Sequence, residues 1–497
     1  MPHICGSAEG DGAISEVLQQ FLAEWTVWVP VILLAVMALA AGGHALLHKN
    51  DNVSAFGWIV TCLLFPLAGP LLYYLFGINR IRTRARRLNI PSTHTSPQRP
   101  QKASATKAML RQAGLPLRAQ TTAQVSFATP FPLCDGNQVA VLHNGEQAYP
   151  AMLGGIRTAR RQILLSSYIF DNDEIGLRFA EALVQAAGNG VEVRVLVDGV
   201  GERYSWRRIG TQLLKRGVKV ARFLPPQLLP PQVNLNLRNH RKILVIDGYT
   251  CFTGGINISA RHCLEDNDRK SAVQDLHFRL QGPASAHLWQ VFADDWFFAA
   301  REALQIPDEP VEHQGTAICR VVADGPNEDI DTLPMLLNGV LSSARRRIVI
   351  MTPYFLPPQG LISALQAAAM RGVDVRIILP SRNNLPYVHW ATRRMLPQLL
   401  QRGVRIYYQA PPFSHSKLCL IDDYYCLLGS ANLDPRSLTL NFEVVVEVFD
   451  RALVKTLGKH CNKVLKKSRK LTTEDFARQG LVSRLRDAVF WLFSSYM

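Results

Sequence analysis

Two short stretches carry side chains that could act on a phosphate. One runs His240-Arg241-Lys242-Ile243-Leu244-Val245-Ile246-Asp247 and continues to Gly254-Gly255-Ile256-Asn257. The other runs His415-Ser416-Lys417-Leu418-Cys419-Leu420-Ile421-Asp422 and continues to Gly429-Ser430-Ala431-Asn432. Both read H-x-K-x(4)-D-x(6)-G-[GS]-x-N, and a repeat with Gly and Asn at matching offsets is hard to ascribe to chance. The apolar runs inside each stretch are expected to be strands. On a strand, residues i and i+2 share a face, so His240 projects with Lys242 and His415 with Lys417. Asp247 and Asp422 have the opposite parity and stand at the strand ends. There they are expected to orient a turn or pair with a basic group rather than move protons.

Two histidines and two lysines converging on one site suit a phosphodiester. The ammonium groups neutralise the non-bridging oxygens and the charge developing on them. One imidazole can attack phosphorus while the other protonates the departing alkoxide. Asn257, Asn432 and Ser430 are candidate neutral donors to the remaining phosphate oxygens. Each histidine also needs an acceptor on its far ring nitrogen. Glu443, in Asn441-Phe442-Glu443, is the candidate in the second half, and Asp275, in Gln274-Asp275-Leu276-His277, in the first. Metal binding competes for paired histidines. The sequence has no H-E-x-x-H or Cys/His zinc spacing, and each His stands next but one to a Lys that would repel a cation. No metal and no other cofactor is expected.

Elements must bring the two motifs together, and an internal repeat indicates how. Ala159-Arg160-Arg161-Gln162-Ile163 is matched by Ala344-Arg345-Arg346-Arg347-Ile348, each leading into an apolar strand that ends near a tyrosine, Tyr168 or Tyr354. Gly190-Val191-Glu192-Val193-Arg194 is matched by Gly372-Val373-Asp374-Val375-Arg376. Lys215-Arg216-Gly217-Val218-Lys219-Val220 is matched by Gln401-Arg402-Gly403-Val404-Arg405-Ile406. Helix and strand alternate before each motif, which predicts an α/β fold with a largely parallel sheet. Two such halves predict a pseudo-twofold arrangement with one site on its axis. Between them, Gln281 to Val322 reads mostly as a helix packing on its half, with Trp289, Phe292, Trp296, Phe297 and Phe298.

The rest of the chain speaks of location. Val27–Leu47 is apolar apart from His44, and Ala55–Gly77 carries no charge. Each is close to the ~20 residues that cross a bilayer, which predicts a transmembrane helical hairpin. Arg80 to Arg118 holds ten basic residues and no acid, placing that side, and both termini, in the cytoplasm. Lys and Arg together number 55 against 39 acids, a net charge of +16 that favours a polyanionic partner. The nine cysteines form no C-x-x-C pair, and Cys251, Cys419 and Cys426 read as buried thiols of a reducing compartment. Predicted boundaries are an N-terminal tail (1–26), two transmembrane helices (27–79), a basic flexible linker (80–137), a first half (138–310), a second half (311–470) and a C-terminal apolar tail (471–497). The tail could lie in the membrane interface or pack on the core.

Together the paired motifs resemble the phospholipase D superfamily, and more narrowly its bacterial cardiolipin synthases. The resemblance rests on Arg238-Asn239-His240-Arg241-Lys242-Ile243, Gly254-Gly255-Ile256-Asn257-Ile258, Gly429 to Ser437 and Asn441-Phe442-Glu443. Tyr168-Ile169-Phe170-Asp171 and the N-terminal hairpin fit as well. The family departures are Asp275 where the second half has Glu443, and Gly255 in place of Ser430. The resemblance implies two phospholipase D-like α/β/α halves with His240, Lys242, Asp247, His415, Lys417 and Asp422 as the catalytic set. It implies transfer of a phosphatidyl group from one phosphatidylglycerol to another through a phosphohistidine; His240 is expected as nucleophile and His415 as acid/base, with the pseudo-symmetry leaving the reverse open. Expected partners are phosphatidylglycerol, other anionic phospholipids and the bacterial inner membrane, not nucleic acid. Open alternatives are a phospholipase D-type hydrolase, a nuclease, transfer to phosphatidylethanolamine or another alcohol, and a non-catalytic lipid-binding scaffold.

Overall fold

The computed structural model describes residues 10–49, 52–77, 103–124, 130–226, 237–265, 271–305, 311–325 and 332–494. The chain divides into two compact units, Met1–Arg84 and Ala85–Met497. Basic residues from Arg80 to Lys102 lie outside the described residues, as does Tyr496 of the tail.

In the first unit, one helix covers Gly10–His48. Its stretch Trp28–His48 is, among the described residues, the one helix long and apolar enough to cross a membrane. The second arm returns against it but does not continue as a single helix. It runs as a helix over Asn52–Leu64, breaks, and resumes over Ala68–Leu72 before a π-turn at Tyr73–Gly77. Pro66 and Pro70 lack the amide that a continuous helix needs. Gly69 lies so close to the Thr61 and Cys62 backbone that no side chain would fit there. The expected second span over Ala55–Gly77 is therefore a broken arm. The arms are joined by a side-chain bond between His44 Nδ1 and the Tyr73 hydroxyl, 2.8 Å, with the two rings edge-on at 5.7 Å.

The second unit is built on one continuous sheet. Its first half supplies β1 (Cys134–His143), β2 (Gln162–Ser167), β3 (Glu192–Asp198), β4 (Lys219–Phe223), β5 (Ile243–Ile246), β6 (Thr250–Gly254), β7 (Val273–Gln274) and β8 (Leu276–Gln281). Its second half supplies β9 (Ala317–Asp324), β10 (Arg347–Met351), β11 (Asp374–Pro380), β12 (Arg405–Gln409), β13 (Phe413–Ser414), β14 (Leu418–Ile421), β15 (Tyr425–Gly429), β16 (Glu443–Phe449) and β17 (Arg469–Lys470). Fifteen strands run in the order β17-β12-β11-β10-β14-β15-β16-β9-β1-β8-β6-β5-β2-β3-β4. Outward from the β9–β1 seam the two sides repeat the same order, β16 corresponding to β8, β15 to β6, β14 to β5 and β10 to β2. This is the expected pseudo-twofold arrangement of two α/β halves.

The sheet is mixed rather than largely parallel. Only β2-β3-β4 and β10-β11-β12 run parallel, the strands linked by helical crossovers. The motif strands β5 and β14 enter antiparallel and turn back at once into β6 and β15. Connections of that length cannot make a parallel crossover. The aromatic segment between the halves is a helix, Ala284–Ala300, with Trp289, Phe292 and Trp296 buried against the sheet.

Residues 103–124 are not a linker. They form helices at Ala103–Gln112 and Leu117–Gln124, and Leu110, Leu115, Ala119 and Ala123 join the core of the second half. Scarcity of acids and richness in Ser, Thr and Gln hid an apolar stripe that needs a partner surface to fold. The C-terminal tail holds a helix, Leu481–Leu492, that packs on Pro386–Leu400 through Phe490 against Trp390 and Asp487 with Arg393, 3.2 Å.

Candidate active site

Neither motif histidine lies within its strand. His240 and Lys242 come just before β5, His415 and Lys417 just before β14, on segments that leave their own half. Asn239 bridges to Phe442 in parallel, and the His240 amide donates to the Phe442 carbonyl, 2.9 Å. Across the pseudo-axis β13 pairs with β7, and the His415 amide donates to the Gln274 carbonyl, 2.7 Å. These two backbone bonds set the register, and each histidine is laid beside the residue that precedes the other half's acid.

The acids are accordingly exchanged between the halves. His240 Nδ1 lies 3.0 Å from both carboxylate oxygens of Glu443. His415 Nδ1 lies 2.9 Å from Asp275 Oδ2. Sequence reasoning expected Glu443 to serve the second motif and Asp275 the first, and the structure reverses both assignments. The physical reason is the backbone pairing just described, which no local spacing encodes. With Nδ1 bonded to a carboxylate, Nε2 of each ring is the nitrogen available to react.

Charge and burial act jointly on these groups. Burial, with Lys242 and Lys417 nearby, lowers His240 to about 4 against the pull of Glu443. Burial, reinforced by Lys417, lowers His415 to about 3. Burial lowers Lys242 to about 7 and Lys417 to about 8, with Glu443 and Asp275 opposing it in both. Burial would raise Asp275, but Lys417 and His415 outweigh it and hold it at about 2. Lys417 of the second motif acts on His240 and Lys242 of the first, so the two motifs share one electrostatic site.

Ser430 is not placed as a phosphate donor. Its hydroxyl donates to Glu443 Oε2 at 2.5 Å, and the buried side chain thereby fixes the acid. Asn441 Nδ2 adds a further bond to Glu443, 3.2 Å. In the first half Gly255 stands at the Ser430 position, and a Cβ there would collide with the Asp275 carboxylate. The shorter acid is paired with the smaller residue. Asn257 Oδ1 accepts from the Ile169 amide, 3.2 Å, which leaves Nδ2 as its donor. Asn432 is buried, and its Oδ1 has no protein partner.

Asp247 and Asp422 do not reach the site. Each follows its strand, about 16 Å along the chain from the motif lysine. Asp247 accepts from the amides of Arg160, Arg161 and Gln162 at 3.0, 2.8 and 2.9 Å. Asp422 accepts from those of Arg345, Arg346 and Arg347 at 3.3, 2.7 and 3.1 Å. Both are turn-holding residues rather than catalytic ones, as their strand parity implies.

Two tyrosines that mark matched strand ends in the repeat line the site. Tyr168 packs edge-on to His240, with ring centroids 5.2 Å apart, and Tyr354 to His415 at 6.3 Å. Lys242 Nζ lies 5.5 Å from the Tyr168 ring centroid. Their equivalent places at the ends of matched strands were the signal. Asp198 and Asp295 gave no such signal. Asp198 accepts from the Asn239 amide, 2.9 Å, and Asp295 takes Asn239 Nδ2 at 3.0 Å and Arg241 Nη1 at 2.7 Å. Among the described residues no group of three or more His, Cys, Asp or Glu side chains is arranged to hold a metal ion.

A family model described as cardiolipin synthase, PLD-like domain matches residues 152–296 and again 337–465, one copy for each half. The chain belongs to this phospholipase D-like cardiolipin synthase family. A second model, described as phospholipase D-nuclease N-terminal, matches residues 31–77. The major cardiolipin synthase of Bacillus subtilis is 30% identical over 468 residues, 90% of this chain and 94% of that protein. Cardiolipin synthase A of Pseudomonas aeruginosa is 32% identical over 435 residues, covering 86% and 87%. Among solved structures, a phosphatidylserine synthase from Haemophilus influenzae shares the fold, with a TM-score of 0.57 at 15% identity over 76% of this chain and 100% of its own.

Proposed function

We propose that the chain transfers a phosphatidyl group between two phosphatidylglycerol molecules, yielding cardiolipin and glycerol. The observation that carries this reading is the pair of histidines, each held by a carboxylate of the opposite half, with Lys242 and Lys417 beside them. The negative charge of the bound phosphodiester favours a proton on His415. In the first step His240 Nε2 attacks phosphorus. The bond from phosphorus to the glycerol oxygen breaks, and His415 gives that oxygen its proton. In the second step His415 takes the proton from a hydroxyl of the second phosphatidylglycerol. That oxygen attacks phosphorus, the P–N bond breaks, and His240 is restored. Glu443 and Asp275 stabilise the imidazolium that forms at each ring. The lysines balance the phosphate oxygens, and Asn257 and Asn432 donate amide hydrogens to them.

The apolar arms fit an enzyme whose substrates and product stay in a bilayer. The basic residues after the second arm favour a catalytic unit on the cytoplasmic side of the bacterial inner membrane, close to anionic phospholipid.

Purified full-length protein given labelled phosphatidylglycerol should release glycerol and form cardiolipin. Phosphatidic acid without cardiolipin would instead establish a hydrolase. Quenching the His415→Ala variant in denaturant at alkaline pH, where a P–N bond survives, should trap a phosphatidyl-histidine, and His240→Ala should trap none. The reverse pattern exchanges the two roles.

A further inference from the structure

The loop after β3 carries a feature that the transfer chemistry does not use. It reads Gly201-Glu202-Arg203-Tyr204-Ser205-Trp206-Arg207-Arg208. Trp206 is 100% exposed and Tyr204 64%. Arg203, Arg207 and Arg208 are exposed around them. A large apolar ring left wholly in water forgoes the stabilisation that burial would give it. Loop tips are ordinarily small and polar.

The loop is firmly held. Asp198 Oδ1 accepts from the amides of Val200 and Gly201, both 2.9 Å. Its Oδ2 takes the amide of Asn239, next to His240, at 2.9 Å. Buried Glu202 binds Arg222 Nε at 2.7 Å, and Ser205 Oγ donates to Asp171 at 2.8 Å. The loop also adjoins the chemistry. Tyr204 packs edge-on to Tyr168 at 6.3 Å, and Tyr168 packs on His240. The matched segment of the second half, Ser381 to Leu385, has no aromatic residue.

We propose that Tyr204 and Trp206, with Arg203, Arg207 and Arg208, form a lip that seats in the head-group region of an anionic bilayer beside His240. The claim rests on the lipid-substrate reading above. Amphipathic rings favour the membrane interface, and arginines beside them meet anionic head groups. The exposed residues from 203 to 208 include no acid that would oppose this. A lip in that plane brings a phosphodiester to the histidine while its acyl chains remain in the bilayer. Trp, Tyr and Arg also suit a protein partner, but adjacency to a lipid-processing histidine favours the bilayer.

The test uses full-length protein in vesicles of equal parts phosphatidylcholine and phosphatidylglycerol, with and without brominated acyl chains. The emission that Trp206→Phe removes from the wild type should be quenched by the brominated lipid. Equal emission in both vesicles overturns the proposal, whichever product the enzyme makes. A quenched signal with phosphatidic acid as the only product would keep the lip and overturn the transferase reading. In a second arm, Tyr204→Ser/Trp206→Ser should lower the ratio of the rate on vesicle phosphatidylglycerol to that on dispersed short-chain phosphatidylglycerol by roughly tenfold. An unchanged ratio overturns the lip.

Discussion

His240 and His415 differ from ordinary histidines in that their charge state is set by lysines as well as by burial. At about 4 and 3 they are neutral at physiological pH before substrate binds, and each can present an Nε2 lone pair. Lys242 and Lys417, at about 7 and 8 rather than the usual 10.5, lose their charge early. The protonated amines bind the phosphate, so deprotonation weakens binding. kcat/KM should therefore fall as pH rises through about 7 to 8, measured on detergent-dispersed phosphatidylglycerol. An alkaline limb near the ordinary lysine value of 10.5 would contradict this. Glu443 and Asp275 supply orientation, and Gly255 makes room for the shorter acid. Gly255→Ser should push Asp275 away from His415 and reduce kcat roughly 100-fold, with a small change in thermal midpoint. Tyr168 and Tyr354 were visible in the sequence as repeat markers, but their contact with the histidines depends on chain folding far from the motifs.

Strand ends explain why the motif keeps its aspartate. Asp422 has φ +53° and Asp247 φ +50°, left-handed values at which a short polar side chain can stabilise the turn. Each carboxylate gathers the amides entering a neighbouring strand, β10 or β2, and so fixes the motif strand against it. Asp422 is 1% exposed and also lies 3.7 Å from Arg118 Nε. Asp422→Ala should destabilise the second unit by about 2–4 kcal/mol. The more accessible Asp247 should cost less on replacement by Ala. Thermal unfolding checks the order, and kcat per folded molecule should stay near wild type in both. The sequence supported this role through parity alone. The sheet directions were less legible, because alternation of helix and strand describes only three strands of each half.

The whole second unit depends on residues that composition assigned to a linker. Arg320 Nη2 donates to the Ala123 carbonyl at 2.9 Å, and Thr122 Oγ1 bonds Ser343 and Tyr424 at 2.8 and 3.0 Å. A fragment beginning at residue 103 should unfold cooperatively. One beginning at 130 should melt lower or aggregate, by circular dichroism and light scattering. Acid should also destabilise the unit. His240, His262, His277 and His415 are held below the ordinary 6.5, at about 4, 4, 3 and 3, chiefly by burial. Below pH 6.5 the unfolded chain takes up protons that these native rings refuse. Each therefore removes roughly 1.4 kcal/mol of stability per pH unit until its folded value is reached. The thermal midpoint should drop steeply from pH 6.5 toward 4.

The sequence by itself determined the chemistry, the twofold repeat, an apolar N-terminal segment of membrane-crossing length and the family. Those properties follow from residue type, period and spacing, which are local. Tertiary structure alone decided which acid serves which histidine, because the partners stand 203 and 140 residues apart and meet through backbone pairing between halves. It also turned Ser430 toward Glu443 and folded residues 103–124 onto the core. Each of these outcomes depends on the surface a segment meets, and that surface is assembled from residues distant in the chain.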